Sequence, residues 1–269
     1  MSLFSDTADD YLKLIGNWID PNPSPVIIEH EGILVVRDDM LEVGSKARSG
    51  DYIVGHDPEY AHIKEWVYGS SPATGYAQMS LPYICNKYNK KAVIFMAARS
   101  PDKLHPYQKK AIELGADMRW VNMGMLAVTE KRAKDYVAES PETRALLPIG
   151  LNHPTAIACL IRVARSTGLK PDEVWSIGSS GTLSRSLQLA FPDATVHVVS
   201  AGGHRMRDDE IGRAIYHETK YKFTQAVTAE DTPPFPSAPT YDAKAWSVMK
   251  KWHNENGRPK TVLFWNVGA

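Results

Sequence analysis

"VWSIGSSGTLSRSL", residues 174–187, decides the fold. An apolar run leads straight into Gly178-Ser179-Ser180-Gly181-Thr182 and then into a segment of helical character. A strand that becomes a helix through a few small residues is the repeating unit of an α/β protein. Small residues let backbone N–H groups approach an anion closely, and a helix start adds partial positive charge. The hydroxyls of Ser179, Ser180 and Thr182 offer further hydrogen bonds. The stretch reads as a phosphate cradle, although it is neither G-x-G-x-x-G nor G-x-x-x-x-G-K-[ST]. A tight turn with Ser or Thr as helix cap accounts for the same residues.

Outward from this stretch the alternation repeats. Residues 7–19 predict an amphipathic helix, stopped by "DPNPSP". "GILVVRDD" (32–39) predicts a buried strand, "GDYIVG" (50–55) a strand, and "PEYAHIKEWVYG" (58–69) a more helical segment. "ATGYAQMSLPYICNKYN" (73–89) opens a helix on small residues. "KKAVIFMAA" (90–98) and "MRWVN" (118–122) are strand-like, and "HPYQKKAIELGAD" (105–117) and "LAVTEKRAKDYVAES" (126–140) are helical. In the second half "HPTAIACLIRVARSTG" (153–168) is a helix. "DEVWSIG" (172–178), "ATVHVVSAG" (194–202) and "TVLFWNVGA" (261–269) are strands. Continuous apolar strands between helices predict parallel sheets covered on both faces. The Pro-rich run "TAEDTPPFPSAPTYDAK" (228–244) predicts an ordered surface loop.

Length and charge bound the function classes. The 269 residues are 43% hydrophobic, enough for one large domain or two lobes. Lys plus Arg equals Asp plus Glu, 31 each, so overall charge makes no case for gripping nucleic acid. Cys85 and Cys159 sit in apolar helical segments, which suits a reducing compartment better than a disulfide framework. The acidic start "MSLFSDTADDYLKL" is unlike a signal peptide, and no apolar run reaches the length of a membrane span. A cytoplasmic location is expected, with no membrane partner and no metal site.

Three further stretches carry candidate chemistry. In "LEVGSKARSGDY" (41–52), Lys46 lies between small residues, with Arg48 close by. In "YGSSPATGYAQMS" (68–80), Ser70, Ser71 and Thr74 precede a helix and Gly75 gives room, which suits a carboxylate. An ordinary Ser/Thr cap explains that run too. In "PFPSAPTYDAKAW" (234–246), Tyr241 is placed to stack on a ring or move a proton, or simply to pack with its hydroxyl at the surface. A lysine able to form an imine, a phosphate cup, a carboxylate cup and an aromatic acid/base make up the set that a pyridoxal phosphate enzyme needs.

The order of these motifs resembles the fold type II, tryptophan synthase β-like, pyridoxal phosphate enzymes. The nearer likeness is to the branch of 1-aminocyclopropane-1-carboxylate deaminase and D-cysteine desulfhydrase. Gly44-Ser45-Lys46-Ala47-Arg48 matches that branch's "G-x-K-x-R" segment. Ser70 to Gly75 matches its serine-rich helix start, Gly178 to Thr182 its "G-S-G-T" loop, and Tyr241 to Ala245 its "Y-x-G-K-A" segment. The resemblance spans roughly residue 30 to the C-terminus.

It implies a two-lobed α/β architecture, with residues 1–50 and 145–269 as the larger cofactor-binding domain and 51–144 as the smaller. It implies pyridoxal 5′-phosphate as cofactor, held as a Schiff base on Lys46 and by Gly178, Ser179, Ser180, Gly181, Thr182 and Asn266. Ser70, Ser71, Thr74 and Gly75 would receive the substrate carboxylate, and Lys46 and Tyr241 would be catalytic. A neutral Lys46 is required, so burial and nearby positive charge should lower its pKa. A homodimer is the expected assembly.

The chain departs from the branch in three ways. Ser71-Pro72-Ala73 replaces "S-G-N", removing an Asn that contacts the cofactor's ring hydroxyl. Val267, beside Asn266, stands where a Thr or Ser faces the pyridine nitrogen, and Asn266 would supply a neutral hydrogen bond instead. The chain is also short for the family.

The resemblance points first to a lyase of elimination or deamination type on an amino acid or amino acid-like group. The alternative in the same class is a decarboxylase of an amino acid-modified nucleobase, of the kind that hypermodifies thymine in phage DNA, with a nucleotide or DNA as substrate. An alternative of another class is a non-catalytic protein that binds the cofactor.

Overall fold

The computed structural model describes residues 7–69, 72–203 and 205–269. The chain divides into two compact units. One comprises the described residues of Met1–Ser49 and Asn152–Ala269, and the other Gly50–Leu151.

In chain order the larger unit begins with α1 (Ala8–Leu14), β1 (Ile27–His30), β2 (Ile33–Arg37) and the start of α2 (Lys46–Gly55). The smaller unit holds β3 (Glu65–Gly69), α3 (Ala77–Lys87), β4 (Lys91–Ala97), α4 (Pro106–Glu113), β5 (Asp117–Val121), α5 (Leu126–Ala138) and β6 (Arg144–Leu146). The larger unit resumes with α6 (Pro154–Ser166), β7 (Glu173–Gly178), α7 (Thr182–Ala190) and β8 (Thr195–Ser200). It ends with α8 (Asp208–Ile211), β9 (Ile215–His217), α9 (Asp242–Asn256) and β10 (Val262–Asn266).

The larger unit is built on a six-stranded sheet in the order β1-β2-β10-β7-β8-β9. Among the described residues only the β1–β2 pair of this sheet is antiparallel; Leu263 pairs with Leu34, Phe264 with Trp175 and Gly178 with Ser200 in the parallel part. The C-terminal strand lies at the centre because "VLFWN" is apolar on both faces, with every residue buried. On one face Ile33, Val35, Trp175, Ile177 and Phe264 pack against Trp246 and Met249 of α9. The smaller unit is a parallel sheet in the order β5-β4-β3-β6. Val67 and Val93 meet Ala133 of α5, while Ile94 and Met96 meet Ala111 of α4, so successive residues of β4 cover opposite faces.

Two predicted elements are corrected. "GDYIVG" is the second half of α2, not a strand. Residues 50–54 are all buried, so no amphipathic period marks them as helical, and Gly50 is pressed against the Ile84 side chain. "PEYAHIKEWVYG" is chiefly β3, not helix: Trp66, Val67 and Tyr68 form the centre of a strand flanked by β4 and β6. Helices α8 and α9 and strands β1, β6 and β9 were not anticipated. The last three are short strands of three or four residues, too short to show a period.

Candidate active site

The C-terminal ends of the parallel strands β2, β10, β7 and β8 form one edge of the larger unit's sheet. In open α/β sheets this edge is where ligands bind. Most of the sequence-derived candidates fall there.

Lys46 is the first residue of α2. Its backbone is fastened on both sides. The Ser45 N–H donates to the Val267 carbonyl at 3.0 Å, at the end of β10. The Ser45 hydroxyl donates to Asp38 Oδ2 at 2.7 Å, and the Trp265 indole N–H reaches the same oxygen at 3.0 Å. Arg48 forks onto Asp38 Oδ1 at 2.7 and 3.0 Å and pairs with Asp20 at 2.6 Å. Gly44 takes a left-handed φ of 69° to turn the chain into the helix. The Lys46 amine itself has no hydrogen bond or ion pair among the described residues. Burial lowers its pKa and the Asp242 carboxylate opposes that shift. Nearby positive charge, expected to contribute, is not a cause: the Arg48 guanidinium is neutralised by its own two carboxylates.

The loop 178–182 joins β7 to α7 as its residues predict. Gly181 is the N-cap, with φ 71°, and no side chain caps the helix start. Among the described residues the first N–H groups of α7 thus lack intrahelical and side-chain partners, which leaves them able to take an anion. A Cβ on Gly181 would collide with the Glu210 carbonyl, and one on Gly178 would come within 2.8 Å of Val198 Cγ2. Ser180 and Thr182 share a hydroxyl contact at 3.1 Å.

Tyr241, just before α9, lies close enough to Ser179 of this loop for the serine hydroxyl to lower its pKa, so the structure brings two predicted site residues together. Burial pushes its phenol up to about 12. Asn266 is committed elsewhere. Its amide donates to Asp39 Oδ1 at 2.7 Å and to the Pro236 carbonyl at 2.9 Å, and its oxygen accepts from Ser237 at 2.8 Å. With both amide hydrogens taken, it is a strut for the 236–238 loop and does not have a free donor for a ring nitrogen. In the smaller unit Thr74 and Gly75 lie in a turn before α3, with the Gly75 N–H donating to the Pro72 carbonyl at 3.1 Å. Ser70 and Ser71 lie outside the described residues.

Two residues of the "YDAKA" segment carry more than their sequence suggested. Asp242 is fully buried; Oδ1 accepts the Val267 N–H at 3.0 Å, and Oδ2 has no partner. Burial raises its pKa to about 8 against the backbone N–H groups that hold it down. Lys244, also fully buried, donates to the carbonyls of Ala201, Lys222 and Phe223, each at 2.9 Å. Burial lowers it to about 8. The only hint in sequence was two charged residues in an otherwise apolar helix start.

Comparison with known proteins places this geometry. The chain superposes on an ACC deaminase homologue with a TM-score of 0.81 and 14% identity, over 96% of this chain and 94% of that one. The chain shares its fold. A threonine deaminase from Solanum lycopersicum gives a TM-score of 0.70 at 13% identity, over 100% of this chain and 88% of that one. A serine racemase from Dictyostelium discoideum gives 0.67 at 13% identity, over 97% and 96%. This is the fold type II architecture that the motif order resembles. Among curated proteins, a glycyl-dTMP PLP-dependent decarboxylase of Pseudomonas phage M6 is 28% identical over 221 residues, covering 71% of this chain and 78% of its own. No family model matches the chain.

Proposed function

We propose that this chain is a pyridoxal 5′-phosphate-dependent lyase that acts at the Cα of an amino acid carried on a nucleotide and removes its carboxylate as carbon dioxide. The observation that carries the reading is the unpartnered Lys46 amine at the C-terminal sheet edge. The uncapped start of α7 and the free Asp242 oxygen belong to the same unit. This donor set fits the cofactor. Lys46 would hold its aldehyde carbon, the loop 178–182 its phosphate, and Asp242 Oδ2 the proton of its pyridine nitrogen. When bound, the cofactor supplies an electron sink that weakens the bonds at an attached amino acid's Cα.

The residues of the chain would do the rest. The lowered pKa of Lys46 keeps more of its amine neutral, as bonding to the cofactor's aldehyde carbon requires, and the same amine, once protonated, would supply the proton that replaces carbon dioxide at Cα. A phenol near 12 stays protonated, so Tyr241 would stack beside Ser179 in preference to moving a proton. A carboxyl near 8 can hold or share a proton at neutral pH, so Asp242 would replace Asn266 as the partner of the pyridine nitrogen.

Loss of carbon dioxide is favoured over elimination or deamination by the name of the phage relative. The deaminase neighbours, at 17% identity or less, support the fold alone. A homodimer stays part of the reading, and light scattering tests it.

The deciding experiment incubates the cofactor-loaded protein with glycyl-modified thymidine monophosphate and reads the product by mass spectrometry. Loss of the mass of carbon dioxide supports the reading. Loss of ammonia, or no change in a protein that carries cofactor on Lys46, overturns it.

A further inference from the structure

A cavity of about 530 Å³ opens in the larger unit, lined among others by Ser200, Gly202, Arg205, Tyr216, Lys222 and Phe223. We propose that it binds the phosphorylated nucleoside that carries the amino acid, a deepening that rests on the function proposed above. Position is the first argument. Ser200 ends β8 and pairs with Gly178, which ends β7, and the Ala201 N–H donates to the Gly178 carbonyl at 2.9 Å. The cavity thus adjoins the loop 178–182 on the ligand-binding edge of the sheet. The end of β10, to which Ser45 is fastened, lies two strands away, about 10 Å.

Lining chemistry is the second argument. Tyr216 and Phe223 offer aromatic surfaces on which a base stacks, and Arg205 lies 5.1 Å from the Tyr216 ring centroid. Phosphate has cations within reach. The Lys222 ammonium has no ion pair among the described residues, and Arg205 has only a 3.8 Å contact with the exposed Asp208. Lys220 is already tied to Asp231 at 2.7 Å, and Glu218 is an acidic group in the lining. A base-stacking wall with two weakly engaged cations matches a nucleoside phosphate better than a free amino acid.

Construction is the third. The cavity wall is made of two backbone segments held by one buried lysine: Lys244 gathers the carbonyls of Ala201, Lys222 and Phe223. Gly202 and Gly203, with φ of 96° and 99°, let these segments close together. A Cβ on Gly202 would lie 2.8 Å from the Tyr221 carbonyl oxygen. No carboxylate pairs with Lys244 among the described residues, so its charge adds to the positive potential beneath the wall.

The test measures binding by calorimetry to the cofactor-loaded protein, using thymidine, thymidine 5′-monophosphate, inorganic phosphate and a short thymidine oligonucleotide. The expected result is that a phosphorylated thymidine ligand binds at least tenfold tighter than thymidine or phosphate. The R205A/K222A double variant should lose at least tenfold of that affinity with an unchanged melting temperature and cofactor absorbance. Preference for the monophosphate assigns a free nucleotide, and preference for the oligonucleotide assigns a DNA strand; both support the proposal. Equal affinity for thymidine and its phosphate, or undiminished binding by the double variant, overturns it. Cofactor absorbance in the same samples separates the two claims. Nucleotide binding without cofactor on Lys46 overturns the enzyme reading, and cofactor without nucleotide binding overturns the cavity.

Discussion

The backbone N–H of Val267 donates to Asp242 Oδ1 at 3.0 Å. The carbonyl of the same Val267 accepts the N–H of Ser45, the residue before Lys46, also at 3.0 Å. The end of β10 therefore fixes both the amine-bearing helix start and the buried carboxyl. Burial raises Asp242 and lowers Lys46, and the Asp242 carboxylate opposes part of the lowering of Lys46.

Asp242 should make stability fall as pH rises. Its carboxyl ionises at 3.8 ordinarily and at about 8 in the fold. Between these values the unfolded chain binds fewer protons, so stability is lost progressively up to pH 8. Asp242→Asn keeps an acceptor for the Val267 N–H and removes the titration. Its melting temperature should gain on the wild type as pH rises from 4 to 8. Parallel melting curves for the two proteins would contradict the assignment.

Lys46→Ala should abolish the borohydride-fixed cofactor adduct, read by peptide mass spectrometry. Its melting temperature without cofactor should be no lower than that of the wild type, because the amine is partly buried without a hydrogen-bonding partner. An adduct retained in the variant would move the covalent role to another lysine.

Gly181→Ala and Gly168→Ala form a matched pair. Both glycines have positive φ, 71° and 67°, but only Gly181 meets neighbouring backbone. Gly168→Ala should cost about 1–2 kcal/mol from the left-handed conformation alone. Gly181→Ala should cost a further ~1–3 kcal/mol from overpacking against Glu210, and should weaken cofactor retention at limiting cofactor. Urea titration and cofactor absorbance read the two effects separately.

A buried array at the other end of β7 should drive acid unfolding. Glu173 bonds His253 at 2.5 Å and the Trp175 indole, and His197 bonds His217 at 2.8 Å while stacking on Trp175. Burial depresses His217 to about 4, and its histidine and tryptophan donors depress Glu173 to about 2 despite burial. Both groups then lose stability on acidification, His217 from 6.5 down to 4 and Glu173 from 4.5 down to 2. His217→Gln should gain melting temperature relative to the wild type as pH falls from 6.5 to 4, and parallel curves for the two proteins would exclude His217 as the source.

Arg48 holds the segment around Lys46 by pairing with buried Asp38. Arg48→Met should destabilise by about 3–5 kcal/mol in urea titration, since a buried carboxylate loses its partner. Arg48→Lys should restore only part of this, because an ammonium cannot make the two-pronged contact. Equal stability of both variants and wild type would remove Arg48 from the scaffold.

The sequence by itself determined the α/β class, because an apolar strand, a run of small residues and a helix start lie together in residues 174–187. Local spacing also singled out Lys46, the loop 178–182 and Tyr241. Local reading failed where burial is complete and periodicity disappears, as in residues 50–54 and at Trp66–Val67–Tyr68. Only the tertiary structure decided that Asn266 spends its amide on Asp39 and Pro236, and that Asp242 keeps a free oxygen. It alone gathered Ala201, Lys222 and Phe223 around Lys244. These roles depend on contacts between residues far apart in the chain, and on burial that removes water from a charge. Neither is encoded in the identity of the neighbours in sequence.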